Sequence, residues 1–145
     1  MPISQDERLE ILKDLAANWL QLRKAVAALT DRQLEQPGPE GRWSGKQLLA
    51  HIEAWDRETI NAIRRVETGK EPGWPEDDDT FNAAQAEAAQ ALDLADVKRR
   101  FEATHQELMD LVERTPALSR DLVASTSAHY LEHVPDVRAL KRRGA

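Results

Sequence analysis

The segment AHYLEHVPDV, residues 128–137, carries two histidines four residues apart, His129 and His133. In a helix, residues at this spacing lie on adjacent turns of one side, so their imidazole rings can bind one metal ion. Both histidines fall on the apolar stripe that includes Leu122 and Val137. A buried imidazole needs partners for its nitrogens, and a shared ion would satisfy one nitrogen of each ring. The pair is therefore a candidate metal-binding edge.

A third histidine, His51, lies between Leu48 and Trp55 on the inward side of another predicted helix. Three histidines from two helices would form an open metal site, because three protein ligands leave a position for water or substrate. Histidines on an apolar stripe are also often partly buried and hydrogen-bonded to a carbonyl or carboxylate, so spacing alone leaves both interpretations open. His105 is left out of the predicted site, since no second ligand lies four residues away from it.

Residues around the histidine pair suggest further roles. Glu132, next to His133, is a candidate catalytic base or ligand-orienting carboxylate, with a plain surface carboxylate as the alternative. The string HYLEH also matches the H-x-x-E-H pattern of inverted zinc proteases, but those enzymes need a distant third ligand and an α/β scaffold, which disfavours a protease. Pro135 predicts a kink just past the pair. Trp74, between a glycine and a proline, is expected at a pocket mouth or a subunit contact.

The elements that must position these residues all have helical periodicity. The first helix is predicted over about 4–29, with Ser4 and Glu7 as a capping box, and the second begins at a capping box of Ser44 and Gln47 and stops at Gly69. A third is predicted from Thr80, with a break near Asp93 and an end before Pro116, and a last one over about 119–142. No segment resembles a strand. The expected fold is all-α, a four-helix bundle formed by one domain over residues 1–145.

Composition excludes several classes of protein. The 145 residues include no cysteine, so disulfides, thiolate nucleophiles and cysteine-ligated metals are excluded. The net charge of −6 and the scattered basic residues disfavour nucleic-acid binding. No segment has the length and apolarity of a membrane span or the pattern of a signal peptide, so we expect a soluble cytoplasmic protein without a membrane partner.

Two segments, GRWSGKQLLAHIEAW at 41–55 and TSAHYLEHVPDVRAL at 126–140, resemble the signature segments of the DinB-like superfamily. The second, with HYxEH followed by proline, is most similar to the ClbS/DfsB-type branch. The resemblance implies an up-down-down-up bundle in which His51, His129 and His133 bind one divalent ion, nickel or zinc. Asn82 resembles an asparagine that faces the pocket in ClbS-type relatives, although an ordinary helix N-terminal asparagine explains it as well. We assign Trp55 and Tyr130 to the same pocket.

The resemblance implies a small metal-dependent enzyme, either a hydrolase or a thiol-dependent S-transferase, that acts on a small electrophilic molecule. A transferase would borrow its thiol from a low-molecular-weight co-substrate such as bacillithiol, mycothiol or glutathione, because the chain has no cysteine. One alternative is a metal-free ClbS/DfsB-like stress or self-resistance protein that binds or hydrolyses a toxic small molecule. Another is a structural protein in which the histidines form a closed metal site that stabilises the fold. A homodimer is the expected assembly.

Overall fold

A computed structural model describes residues 3–143, which are mostly helical and contain no strand. The all-α prediction is therefore confirmed for the part of the chain that the structure describes. Seven α-helices follow one another within these residues: α1 Gln5–Ala27, α2 Asp31–Glu35, α3 Gly45–Glu67, α4 Asp78–Gln90, α5 Leu94–Arg114, α6 Arg120–Glu132 and α7 Val134–Arg143.

Side-chain caps begin the helices that the sequence predicted to be capped. Ser44 and Gln47 form the predicted capping box of α3, and each side chain bonds the backbone N–H of the other, at 3.1 and 2.9 Å. Ser4 caps α1 by accepting from the N–H of Glu7 at 3.1 Å. The predicted box is incomplete there, because the Glu7 carboxylate lies 3.5 Å from the Ser4 hydroxyl instead of bonding its backbone N–H.

The two breaks in the later helices fall at or beside the predicted places. The break expected near Asp93 separates α4 from α5. The predicted last helix over 119–142 is divided into α6 and α7 at His133, the C-cap of α6. Pro135 lies in the first turn of α7, where its missing N–H removes no helical bond, so the chain restarts a helix before the proline instead of bending through it. His133 consequently lies at the joint between two helices.

The long helices pack around one apolar core. α3 contacts α4, α5 and α6, while α1 contacts α5, α6 and α7. Tyr130 and Phe101 are the largest fully buried side chains, and Leu15, Ile60 and Leu108 surround them in the same cluster. α3 lies against both α5 and α6 and thus holds His51 near the last helices. No helix in the described residues is both long and apolar enough to span a bilayer.

Polar contacts between helices orient the elements that carry the histidines. Arg57 of α3 donates to Glu107 of α5 at 2.7 Å, and Thr104 of α5 donates to Glu53 of α3 at 2.6 Å. Asn18 of α1 donates to the Ser127 hydroxyl of α6 at 2.6 Å. These bonds restrict rotation of α3 and α6 about their own axes.

The loop before α3 is shaped by a close backbone contact. A Cβ added at Gly38 would overlap the backbone oxygens of Arg42 and Trp43, so the chain can take this path only with glycine there. The contact fixes the path of the chain at Trp43, just before α3. The Trp43 ring lies 4.8 Å from the His51 ring, centroid to centroid. The loop therefore affects the candidate site directly.

Candidate metal centre

The three histidines singled out in the sequence meet at one point. Nε2 of His129 lies 2.9 Å from Nε2 of His51 and 2.9 Å from Nε2 of His133. One nitrogen of each ring lies within 4.8 Å of the other two, and the rings are steeply inclined to one another, by 74° to 87°. α3 supplies one ring, α6 the second, and the joint between α6 and α7 the third.

A carboxylate fixes the orientation of one of these rings. Nδ1 of His133 lies 2.9 Å from Oδ2 of Asp136, one turn further along. Because an ionised carboxylate can only accept, Nδ1 of His133 carries the proton and Nε2 presents its lone pair to the other histidines. A carboxylate behind a metal-binding imidazole is the usual arrangement in protein metal sites.

Burial keeps the other two rings neutral. Burial, with a smaller contribution from the neighbouring histidines, lowers the pKa of His51 to about 4 and that of His129 to about 3. Nδ1 of His51 is buried and makes no hydrogen bond. Neutral imidazoles are the form that binds a metal, so His51 and His129 are in their ligating state at neutral pH.

These residues fit a divalent ion. Nε2 of His129 lies 2.9 Å from Nε2 of His51 and from Nε2 of His133, and a neutral imidazole nitrogen has either one proton or one lone pair, so the two contacts cannot both be ordinary hydrogen bonds. An ion held by all three nitrogens would relieve this crowding. Imidazole ligands suit zinc, nickel, copper and iron.

The cluster opens onto a cavity of about 790 Å³. All three histidines line this cavity together with Trp43, Trp55 and Trp74 and with polar side chains from α3, α4 and α6. A cavity of this volume accommodates a small organic molecule. The three-histidine arrangement is therefore of the open kind, with a side that a ligand can approach.

Asn82 and Trp55 form one wall of this cavity. The indole Nε1 of Trp55 donates to Oδ1 of Asn82 at 2.7 Å, and the Trp55 ring packs on Phe81 with centroids 4.8 Å apart. The bond joins α3 to α4 and turns the Asn82 amide group toward the site. Both residues line the cavity.

Asp56, Tyr130 and His105 form a hydrogen-bonded group beside the candidate metal centre, and the sequence did not predict this group. Oδ2 of Asp56 accepts from the Tyr130 hydroxyl at 2.9 Å, and that hydroxyl lies 2.9 Å from Nδ1 of His105. Since the Tyr130 hydroxyl has one proton and gives it to Asp56, Nδ1 of His105 donates to the tyrosine oxygen. Trp19 stacks on the His105 ring at 3.8 Å. Burial raises the pKa of Asp56 well above its usual range, and burial also raises the pKa of Tyr130.

Two threonines complete the buried wall between α3 and α6. The Thr59 hydroxyl donates to the carbonyl of Trp55 at 3.1 Å and lies 2.9 Å from the Thr126 hydroxyl. Thr126 is therefore the donor in the bond between them. Both threonines line the cavity, and so does Asp56.

The predicted residues fall into three groups. His51, His129, His133, Trp55 and Asn82 are brought together around the cavity, and Trp74 lies at its partly exposed edge. Glu132 is exposed and also lines the cavity. Tyr130 is fully buried and is absent from the lining; it reaches the site only through Asp56.

Asp56 could have been found from the sequence. It continues the stripe of Ile52, Thr59 and Ile63 on α3, and all of these residues are buried. An acidic residue on such a stripe must be paired or neutral, which is the signal for a functional or structural role.

The sequence matches the family model of the DinB superfamily over residues 14–137. The match covers most of the chain and both helices that supply the three histidines. The chain belongs to the DinB superfamily. No curated protein and no solved structure matches the sequence significantly. Membership in the ClbS/DfsB branch and the up-down-down-up order of helices stay predictions.

Proposed function

We propose that this chain is a metal-dependent enzyme that acts on a small electrophilic molecule, by hydrolysis or by transfer to a small thiol. The observation that carries the proposal is the meeting of His51, His129 and His133 at the wall of a cavity of about 790 Å³. A closed structural site would surround its ion with protein ligands, whereas three ligands beside a cavity leave a position open. A divalent ion there, nickel or zinc, would act as a Lewis acid and make a bound water or thiol nucleophilic at neutral pH.

The residues around the centre supply binding and proton-transfer groups. The Trp55 and Trp43 rings offer apolar surface, and the Asn82 amide can orient a polar group of the substrate. Glu132, exposed at the cavity edge and next to His133, is placed to exchange protons with solvent. Asp56, whose pKa is raised by burial, lines the cavity and can bind a polar group of the substrate there.

Metal analysis of the untagged protein tests this proposal. We expect about one divalent ion per chain in the wild type, and its loss in His129→Gln. The matched control is His105→Gln, which removes a buried histidine outside the cluster and should retain the ion. Failure of the wild type to bind zinc, nickel, cobalt or iron after reconstitution would refute the metal-dependent function.

A metal-free protein that binds or hydrolyses a toxic small molecule is the second candidate. The observation that favours it is the set of polar groups from Asp56, Thr59 and Thr126, which line the cavity independently of the histidine cluster. Turnover that survives both chelation and His129→Gln would support this candidate. Binding without turnover at excess substrate would indicate sequestration.

We also propose a homodimer located in the cytoplasm; the dimer is the expected assembly for a small helical bundle that resembles this superfamily. Leu9 and Leu20 of α1 and Leu131 of α6 are large apolar side chains that remain exposed in the single chain. Light scattering on the eluting protein would give the mass, and a mass near 16.4 kDa would refute the dimer.

A further inference from the structure

The cavity beside the histidines has an unbalanced set of charges. Among the described residues that line it, the acidic ones are Asp56, Asp78 and Glu132, and none is lysine or arginine. Asp78 and Glu132 are exposed at its edge, while Asp56 is buried. An anionic molecule entering the cavity would therefore meet carboxylates without a basic side chain to pair with.

The apolar part of the lining also favours positive charge. Trp43, Trp55 and Trp74 all face the cavity. The faces of indole rings carry negative electrostatic potential and attract ammonium groups, while they repel carboxylates. A protonated amine on an apolar body would thus contact indole surface of these tryptophans and the two edge carboxylates.

A bound ion would not reverse this balance. It would add two positive charges, but Asp136 stands behind His133 and Asp78 and Glu132 stand at the cavity edge. Three carboxylates thus accompany one divalent ion. Any anion in the open position of the ion would make the cavity more negative still.

A basic side chain lines a different cavity. Arg42 lines a neighbouring cavity of about 400 Å³, which shares Trp43 and His133 with the larger one. An anion has a possible partner in that smaller cavity. The larger cavity offers none among its described lining residues.

We propose that the larger cavity selects small organic cations over anions of the same size, so that its organic ligand carries a protonated amine on an apolar or aromatic body. The inference rests on the proposed function only in taking this cavity as the substrate site. The inference narrows the proposed substrates to small electrophiles that carry an amine. It also disfavours thiols with two negative charges as co-substrates in this cavity.

A set of three matched probes tests the selection. Benzylamine, benzyl alcohol and phenylacetate share one aromatic body and differ in charge at neutral pH. They would be titrated into chelated, metal-free protein while the indole N–H resonances of the tryptophans are followed by NMR, with assignment by single Trp→Phe variants. We expect benzylamine to bind roughly tenfold more tightly than phenylacetate, as two edge charges in a partly screened site would give.

Variants separate the local charges from the overall charge. Asp78→Asn combined with Glu132→Gln should bring the binding ratio of benzylamine to phenylacetate close to one. Asp110→Asn combined with Glu113→Gln changes net charge equally on exposed α5 positions outside the cavity lining and should leave the ratio unchanged.

Either of two results would overturn the inference: phenylacetate binding as tightly as benzylamine, or no shift of the cavity tryptophans with benzylamine at millimolar concentrations. Because the titration uses metal-free protein, it is independent of the metal analysis above. If the protein binds no metal but still discriminates between the probes, the proposed metal chemistry is refuted and the proposed charge selectivity stands.

Discussion

Nδ1 of His133 and Oδ2 of Asp136 are 2.9 Å apart, across the first turn of α7. The contact ties a metal-facing ring to the short helix that follows it. It also fixes which nitrogen of the ring is free to bind. The carboxylate would therefore orient a metal ligand without itself contacting a bound ion.

Replacement of Asp136 should weaken metal binding without removing a ligand. Asp136→Asn keeps the size of the side chain but loses its charge, and we expect metal affinity to fall roughly 10- to 100-fold. Competition with a chromophoric chelator would measure it. Asp110→Asn, on an exposed carboxylate bonded to Gln106, is the matched control and should leave the affinity unchanged. Equal affinities for Asp136→Asn and the wild type would show that Asp136 does not support the ligand.

Metal should stabilise the folded chain through mass action. The three nitrogens come from residues 51, 129 and 133, so the unfolded chain does not present them together. At an ion concentration 100 times the dissociation constant, the expected gain is about 2.7 kcal/mol in the free energy of unfolding. For a chain of this size that corresponds to a rise in Tm of roughly 8 °C. Calorimetry with and without chelator would measure it, and His129→Gln should abolish the difference.

Acid should destabilise the metal-free protein. Burial lowers the pKa of His51 and of His105 to about 4 and that of His129 to about 3, below the unfolded value of 6.5. The unfolded chain then binds more protons than the folded chain below pH 6.5, so stability falls as pH decreases from 6.5 toward 4. His105→Gln should flatten this decline by removing one of the three groups. Denaturant unfolding at several pH values would measure it, and an unchanged free energy of unfolding between pH 7 and 4.5 would contradict the expectation.

Asp56 should have the opposite pH dependence. Burial raises its pKa above the unfolded value, so the folded state retains a proton that the unfolded state loses, and stability falls as pH rises above about 4. Asp56→Asn keeps a neutral side chain that can accept from Tyr130, so the variant should gain stability relative to wild type with increasing pH. Unfolding of metal-free protein at pH 6 and pH 9 would test this. A difference that stays constant between these two pH values would show that Asp56 is already ionised in the folded state at pH 6.

Tyr130→Phe tests the same group by a different route. The change removes the hydroxyl that bonds both Asp56 and His105, and it leaves two buried polar groups without that partner. We expect a loss of about 1–3 kcal/mol in the free energy of unfolding. Metal affinity should stay within a few-fold of wild type, because Tyr130 lies outside the ligand set. If the variant lost its metal but kept its stability, Tyr130 would support metal binding and not the stability of the fold, which is the opposite of the role assigned to it.

Local sequence patterns were sufficient to predict the helices and to single out the three histidines. Periodic apolar residues and caps at Ser4 and Ser44 depend on neighbours in the chain, so the bounds of α1 and α3 follow closely from them. His129 and His133 are four residues apart on one helical stripe, which already places their rings on one side. His51 could be added because it lies on the inward face of a second amphipathic helix.

Other features depended on contacts between distant segments. The joint at His133, which divides a predicted single helix, brings its Nε2 to 2.9 Å from that of His129. Tyr130 was assigned to the pocket, yet its ring packs in the core against Trp19 and its hydroxyl bonds Asp56. Spacing on one helix cannot reveal which neighbour a side chain will contact.

The sequence by itself determined the helical class, the superfamily and the three histidines, because periodicity, capping and motif residues are properties of short segments. Only the tertiary structure decided that their Nε2 atoms meet at the wall of a cavity, that Asp56 joins Tyr130 and His105 beside it, and that the cavity edge is acidic. Those features arise where α3, α4 and α6 pack together, and burial, pKa and electrostatic potential exist only once residues from separate segments share one environment.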